Sequence, residues 1–246
     1  MVASSLDKAF HLLEALAVAD GALPLVSIVN ELGYHKSTVH RLLHDLVELG
    51  YVCRINKGKY QLTGKLRRLA LGKINDLLVE TATPFLRALH KQTGETINLG
   101  VLRGANVRYL HIIESRHPLR RVVEVNSKDP FYSTSLGRAI SCHLSNRDWD
   151  AMMAQTKLVA RTPHTIIDPD ELRKIRDQAR QDGYAIEQDQ NDIGITCVGA
   201  PVFEGDQIVA AISMSLPTAR INADSQQKLI DAVVNTAKQV SAQLSS

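Results

Sequence analysis

Ser37, Thr38, His40, Arg41 and His44 fall on one side of a segment whose other side reads Val39, Leu42, Leu43, Leu46 and Leu49. Apolar residues at i, i+3, i+4, i+7 and i+10 predict a helix with a buried back. Its front then offers hydroxyl, imidazole and guanidinium groups, and Lys36 adds an ammonium at its start. These groups can neutralise phosphates and hydrogen-bond base edges, the two tasks that duplex DNA sets. Gly50 stops the helix, and Asn56-Lys57-Gly58 reads as a tight turn between two short β-rich runs. That hairpin carries Arg54, Lys57 and Lys59, a second set of phosphate partners.

The elements needed to position such a face are present. Leu6, Phe10, Leu13, Leu16 and Ala17 repeat at helical spacing over residues 5–19, and Asp20-Gly21 breaks the run. Leu25, Ile28 and Leu32 predict a short second helix that Gly33 ends. Three helices and a hairpin within about sixty residues predict a winged helix-turn-helix, its second helix bracing the third.

Charge follows this division. The chain has 246 residues and a formal charge of +3, yet residues 35–73 alone hold nine basic against two acidic residues. Residues 74–246 hold 19 basic against 20 acidic. The positive field is local, as a footprint on phosphate requires. Three cysteines, Cys53, Cys142 and Cys197, are odd in number and far apart, which argues for a reducing, cytoplasmic setting. No apolar run is long enough to span a bilayer, and no signal-peptide core is visible, so no membrane partner is expected.

Residues 64–78 predict a basic linker helix carrying Leu66, Leu69, Ala70, Ile74 and Leu77, with Thr83-Pro84 as a natural boundary. Beyond it, helices are expected at 84–92, 136–144, 169–182 and 223–243. Strands are expected at 96–102, 106–114, 121–125, 184–188, 195–203 and 207–216. Hairpin-connected strands with helices outside indicate an α+β domain around an antiparallel sheet. The chain therefore divides into a DNA-binding domain at 1–64, a linker helix at 65–80 and a second domain at 81–246.

Four motifs, the first of them in two stretches, resemble the IclR family of bacterial transcriptional regulators in order and separation. The N-terminal pattern is Ser5-Leu6-Asp7-Lys8-Ala9-Phe10 together with Ser37-Thr38-Val39-His40-Arg41-Leu42-Leu43. The second domain supplies Tyr132-Ser133-Thr134-Ser135-Leu136-Gly137-Arg138-Ala139, Gly194-Ile195-Thr196-Cys197-Val198-Gly199-Ala200-Pro201-Val202 and Ala211-Ile212-Ser213-Met214-Ser215-Leu216-Pro217. The resemblance implies a winged helix-turn-helix joined by a helix to a GAF-like effector domain. It implies a repressor, with activation as the alternative, that binds a pseudo-palindromic double-stranded operator as a homodimer or a dimer-of-dimers tetramer.

It also implies a small carboxylate-type effector held by the backbone of Ser135 and Leu136, by Glu187, Cys197, Ser213 and Ser215, and by Ile195 as an apolar wall. Strand alternation independently puts Ser213 and Ser215 on one face. Glu187 stands where Asp is common in the family, and its longer side chain shortens the pocket. Asp189-Gln190-Asn191-Asp192 replaces a Glu-rich stretch. Similarity to members that control sugar-acid catabolism points to a catabolic operon for sugar acids or related carboxylates. Arg103, Arg108 and Arg116 are further candidates for an anion site, though each reads first as a surface charge.

The competing reading is an enzyme fused to a winged helix. It finds no GxSxG, P-loop or dinucleotide fingerprint, and Cys197 lies in a Gly/Val/Ala-rich strand without a His–carboxylate relay. His90, His111, His117, His143 and His164 lack ligand spacing, so neither a metal nor another cofactor is expected.

Overall fold

The computed structural model describes residues 4–19, 21–55 and 58–245, leaving aside the side chains at 67, 68, 70–74, 223 and 224. It divides into two compact units, Met1–Ile74 and Asn75–Ser246.

In the first unit α1 spans Ser5–Val18, α2 Leu25–Leu32 and α3 Lys36–Glu48. Ser4 and Asp7 form a capping box that satisfies free N–H groups at the start of α1. Gly33 closes α2 in the left-handed conformation, at φ 67°, and turns the chain into α3. β1 (Leu23–Pro24), β2 (Val52–Ile55) and β3 (Lys59–Leu62) form an antiparallel sheet in the order β1-β3-β2. β1 is a strand that periodicity did not announce. The core collects Leu12 and Leu16 from α1, Ile28 from α2, Val39 and Leu43 from α3, and Val52 and Tyr60 from the wing.

Two expectations change here. Leu6, Phe10 and Ala17 of the expected stripe are exposed, the first two at 67% and 55%, and α1 buries Leu12 and Ala15 beside the expected Leu16. Leu49 lies one residue past the end of α3 and is 56% exposed, so the buried stripe stops at Leu46.

α4 runs unbroken over Lys65–Thr93, so the expected break at Thr83-Pro84 is absent. Pro84 removes only the N–H that would have reached the Glu80 carbonyl. The hydroxyl of Thr83 donates to the Val79 carbonyl at 2.6 Å. Leu69 and Leu77 from the expected linker stripe are exposed, while the side chains of Ala70 and Ile74 lie outside the description.

The second unit is built on β4 (Thr96–Arg103), β5 (Asn106–Ile113), β6 (Lys128–Pro130), β7 (Ala185–Gln188), β8 (Ile195–Glu204) and β9 (Gln207–Pro217). They form one antiparallel sheet in the order β6-β5-β4-β9-β8-β7. Residues 121–125 form no strand. Their apolar side chains Val122 and Val125 are exposed, and the short β6 pairs with β5 in their place.

One sheet face carries Ile97, Leu99, Val198, Ile212 and Met214 against α4 and α8 (Ala223–Leu244), through Leu86, Leu89, Val233 and Val240. The other face receives α5 (Ser135–Ser141), which is buried over its whole length. Glycines permit that approach. A Cβ on Gly137 would lie 2.3 Å from Phe131 Cα, and one on Gly199 would lie 2.6 Å from the Ser135 carbonyl oxygen. α6 (Asn146–Ala154), missed by periodicity, is capped by Ser145 and buries Trp149 edge-on against Phe131. α7 (Pro169–Asp182) opens on the Asp168 cap, as its acidic first turn leads one to expect. None of the helices in the described residues is long and apolar enough to cross a membrane.

Candidate functional site

Two groups of residues could do chemistry. The first is the front of α3. Burial of Val39, Leu42, Leu43 and Leu46 fixes the helix's rotation, so Lys36, Ser37, His40, Arg41 and His44 are left exposed and Thr38 half-buried. Arg41 stands 3.6 Å from Asp45 one turn on, with the two side chains 60% and 47% exposed. Such an exposed pair contributes between about 0 and 1 kcal/mol, so a phosphate could replace the aspartate at small cost. His44 lies 4.0 Å from Asp45 and 3.9 Å from Glu48. On the wing, Arg54 sits over the ring of Tyr60 and Lys59 is exposed. Lys57 lies outside the described residues.

The second is a small cavity of about 10 Å³, lined mostly by polar residue types, between the sheet and the start of α5. Register creates it. Glu187 on β7 pairs with Cys197 on β8, and Cys197 pairs with Ser215 on β9, which forms a row across three strands. In the adjacent row Gly199 faces Ser213, which pairs with Asn98 on β4. Ser135 and Leu136 close the opposite wall, where Thr134 caps α5 by accepting from Gly137 N at 3.1 Å. Six of the seven expected effector residues thus line one cavity. Ile195 shares the strand face of Cys197 but is only partly buried and does not line it.

Hydrogen bonds give the cavity a direction. Asn98 Nδ2 donates to both Ser213 Oγ, at 3.2 Å, and Ser215 Oγ, at 3.1 Å, while Cys197 Sγ donates to Ser215 Oγ at 3.2 Å. With their oxygens occupied as acceptors, both serine hydroxyls keep a proton to donate, which favours an anionic or carbonyl oxygen. Glu187 is 2% exposed, and burial raises its carboxyl above the usual carboxylate range. The Cys197 thiol and the N–H groups of Gln190 and Asn191 oppose that shift. Burial, reinforced by the neighbouring Glu187, also holds the Cys197 thiol well above its ordinary value. A thiol held protonated is a poor nucleophile, so Cys197 serves here as a wall and a donor.

Sequence reasoning missed Asn98, Tyr109, Arg121 and Asn191. Thr96 and Asn98 alternate with Ile97, Leu99 and Val101, and that alternation could have singled out Asn98. Arg121 carried no such signal because it lies outside any strand or helix. Its Nε donates to Asp192 at 2.6 Å, and its two terminal nitrogens donate to Tyr109 OH at 3.0 Å and Asp129 at 2.7 Å. The arginines weighed from sequence lie elsewhere. Arg103 donates to Asn75, Arg108 to Asn126, and Arg116 is exposed. Among the described residues no group of three or more His, Cys, Asp or Glu could hold a metal ion.

Both units of the chain resemble known proteins. Residues 5–54 match the IclR helix-turn-helix domain and residues 72–242 match the bacterial transcriptional regulator IclR C-terminal domain. The chain is 30% identical over 244 residues to the HTH-type transcriptional regulator KdgR of Dickeya chrysanthemi, covering 98% of this chain and 80% of that protein. It is 27% identical over 241 residues to the transcriptional repressor IclR of Escherichia coli, covering 96% and 88%. The crystal structure of Thermotoga maritima IclR superposes with a TM-score of 0.67 at 25% identity, covering 98% of this chain and 99% of that one. These relatives are regulators rather than enzymes, and with both family domains matched in order across it, the chain belongs to the IclR family of bacterial transcriptional regulators.

Proposed function

We propose that the chain is a homodimeric repressor whose affinity for a pseudo-palindromic operator is set by a small carboxylic acid bound in the cavity of the second unit. The observation that carries this reading is the pair of serine hydroxyls primed by Asn98, which offer protons to an oxyanion inside a buried site. The backbone of Ser135 and Leu136, Cys197 and Glu187 complete the acid's surroundings. On the DNA side, Lys36, Arg41, Arg54, Lys57 and Lys59 serve phosphates, while Ser37, Thr38, His40 and His44 serve base edges or nearby phosphates. Leu6 and Phe10, exposed together on α1, support a dimer because apolar stripes of this kind are commonly covered by a partner. The regulated genes then encode breakdown of the acid, and assembly of two dimers into a tetramer is compatible with the same scheme.

Operator titrations with and without a panel of small carboxylic acids test the reading. At least one acid is expected to change operator affinity, and operator is expected to change that acid's affinity by the same factor. A panel in which no acid moved operator affinity or the melting temperature would sink it.

A further inference from the structure

We propose that the second unit holds a further ligand site, an apolar pit at the edge of its sheet that takes a monocarboxylate with a medium-length alkyl tail. The pit shares no lining residue with the polar cavity, and the inference goes beyond the effector reading above.

Strand lengths create the pit. β7 pairs with β8 no further than Ala185 and Gly199, so residues 200–204 have no strand on their outer side among the described residues. α8 lies along this edge, where Ser241 Oγ accepts from Phe203 N at 2.9 Å and donates to the Ala237 carbonyl at 2.8 Å. Between α8, the Gly183 that ends α7 and His143 just past α5 lies a space of about 350 Å³, within the range of small-molecule sites. Its walls are mainly carbon, from Ala200, Pro201, Phe203, Val234 and Ala237.

Two polar groups in these walls are unsatisfied. His143 Nε2 is buried with no hydrogen-bond partner among the described residues, although its ring stands edge-to-face with Phe203 at 5.0 Å. Burial, and then the positive charge of Arg180, hold that ring below its ordinary value, so it stands neutral. The exposed Lys238 forms no hydrogen bond or ion pair among the described residues, and neither does Arg180. Asp182, one residue before Gly183, is taken up by Gln178 at 2.8 Å and lines a different cleft. The pit thus pairs hydrocarbon walls with an imidazole and an unpaired ammonium, which fits an apolar chain ending in one carboxylate. A second polar group on the tail would be buried against carbon without a partner.

The surroundings argue for a small molecule rather than a protein. Among the described residues no exposed large hydrophobic lies on α7, β8 or α8, so the pit is a recess in polar surface, whereas a stable partner needs roughly 800 Å² of contact. An added strand also finds a poor edge, because Pro201 has no N–H and that of Phe203 is taken by Ser241.

Calorimetric titration of the full chain with hexanoate, octanoate and octan-1-ol tests this. Octanoate is expected to bind about tenfold tighter than hexanoate, the gain from burying two further CH₂ groups. Lys238→Gln should weaken octanoate about fivefold and leave octan-1-ol unchanged. Val234→Phe, which fills the pit from α8, should abolish octanoate binding while leaving operator affinity as in wild type. No octanoate binding at millimolar concentration, equal affinities for the two acids, or octanoate binding that survives Val234→Phe would each overturn the proposal. Should Val234→Phe fail to fold, Lys238→Gln at its exposed position must still weaken octanoate, and an unchanged affinity overturns the proposal. A wild-type chain that ignores octanoate while Val234→Phe alters its sedimentation would assign the pit to contact between copies instead.

Discussion

Arg41 and Arg121 each face a carboxylate, at 3.6 Å from Asp45 and 2.7 Å from Asp129, under opposite conditions. The Arg41 side chain is 60% exposed and holds one partner on its own helix. That of Arg121 is 11% exposed and joins β5, β6 and the residue 192 loop through three hydrogen bonds. Water screens the first pair, so its partner is exchangeable. The second pair is shielded, and removing one member leaves charge stranded in the interior. One unit keeps its arginine ready to change partners, and the other fixes its arginine in place.

The largest test of this contrast is stability. Arg121→Ala is expected to cost about 3 kcal/mol, because it leaves the Asp129 carboxylate, 10% exposed, with only Arg161 and the Tyr109 hydroxyl to offset its charge. Arg41→Ala should stay within about 0.5 kcal/mol. Urea denaturation of both variants measures this, and equal losses would erase the distinction. For operator binding the order reverses. Arg41→Ala should weaken operator affinity about tenfold and lower the slope of log affinity against log salt by about one. Anisotropy titrations at several salt concentrations check it, and an unchanged affinity would remove Arg41 from the interface.

The smallest effect sharpens the buried side. Because burial raises the Glu187 carboxyl, the folded chain keeps a proton that the unfolded chain releases as pH climbs past the ordinary carboxylate range. Stability is then lost with rising pH up to Glu187's own raised value, at no more than about 1.4 kcal/mol per pH unit for one proton. Glu187→Gln should abolish that decline, matching wild type at the acid end of the window and exceeding it at the alkaline end. Parallel pH–stability curves for the two proteins would show that Glu187 ionises as freely as a surface acid.

Much of the recognition helix was legible because one periodicity reports both its buried back and its polar front. α1 shows where periodicity falls short. Leu6 and Phe10 repeat at the same spacing as the partly buried Leu13, and only the neighbouring elements determine that Leu12, Ala15 and Leu16 are covered while Leu6 and Phe10 are not. Val122, Val123 and Val125 carry strand propensity, but propensity without a pairing partner makes no strand, and the edge of β5 is taken by Lys128–Pro130. Asn126 turns the chain between them at φ 72°.

The cavity divides along the same line. Period-two alternation alone put Ser213 and Ser215 on a common face, and the family resemblance supplied Glu187, Cys197, Ser135 and Leu136. Neither pointed to Arg121, which reaches Asp192 across 71 residues of chain. The sequence by itself determined which residues of a helix or strand share a face, since that follows from backbone geometry one or two turns at a time. Tertiary structure decided which of those faces is covered and which distant groups share a wall, and so which charges stand balanced. Those choices rest on contacts between segments whose separation in the chain leaves no local signature.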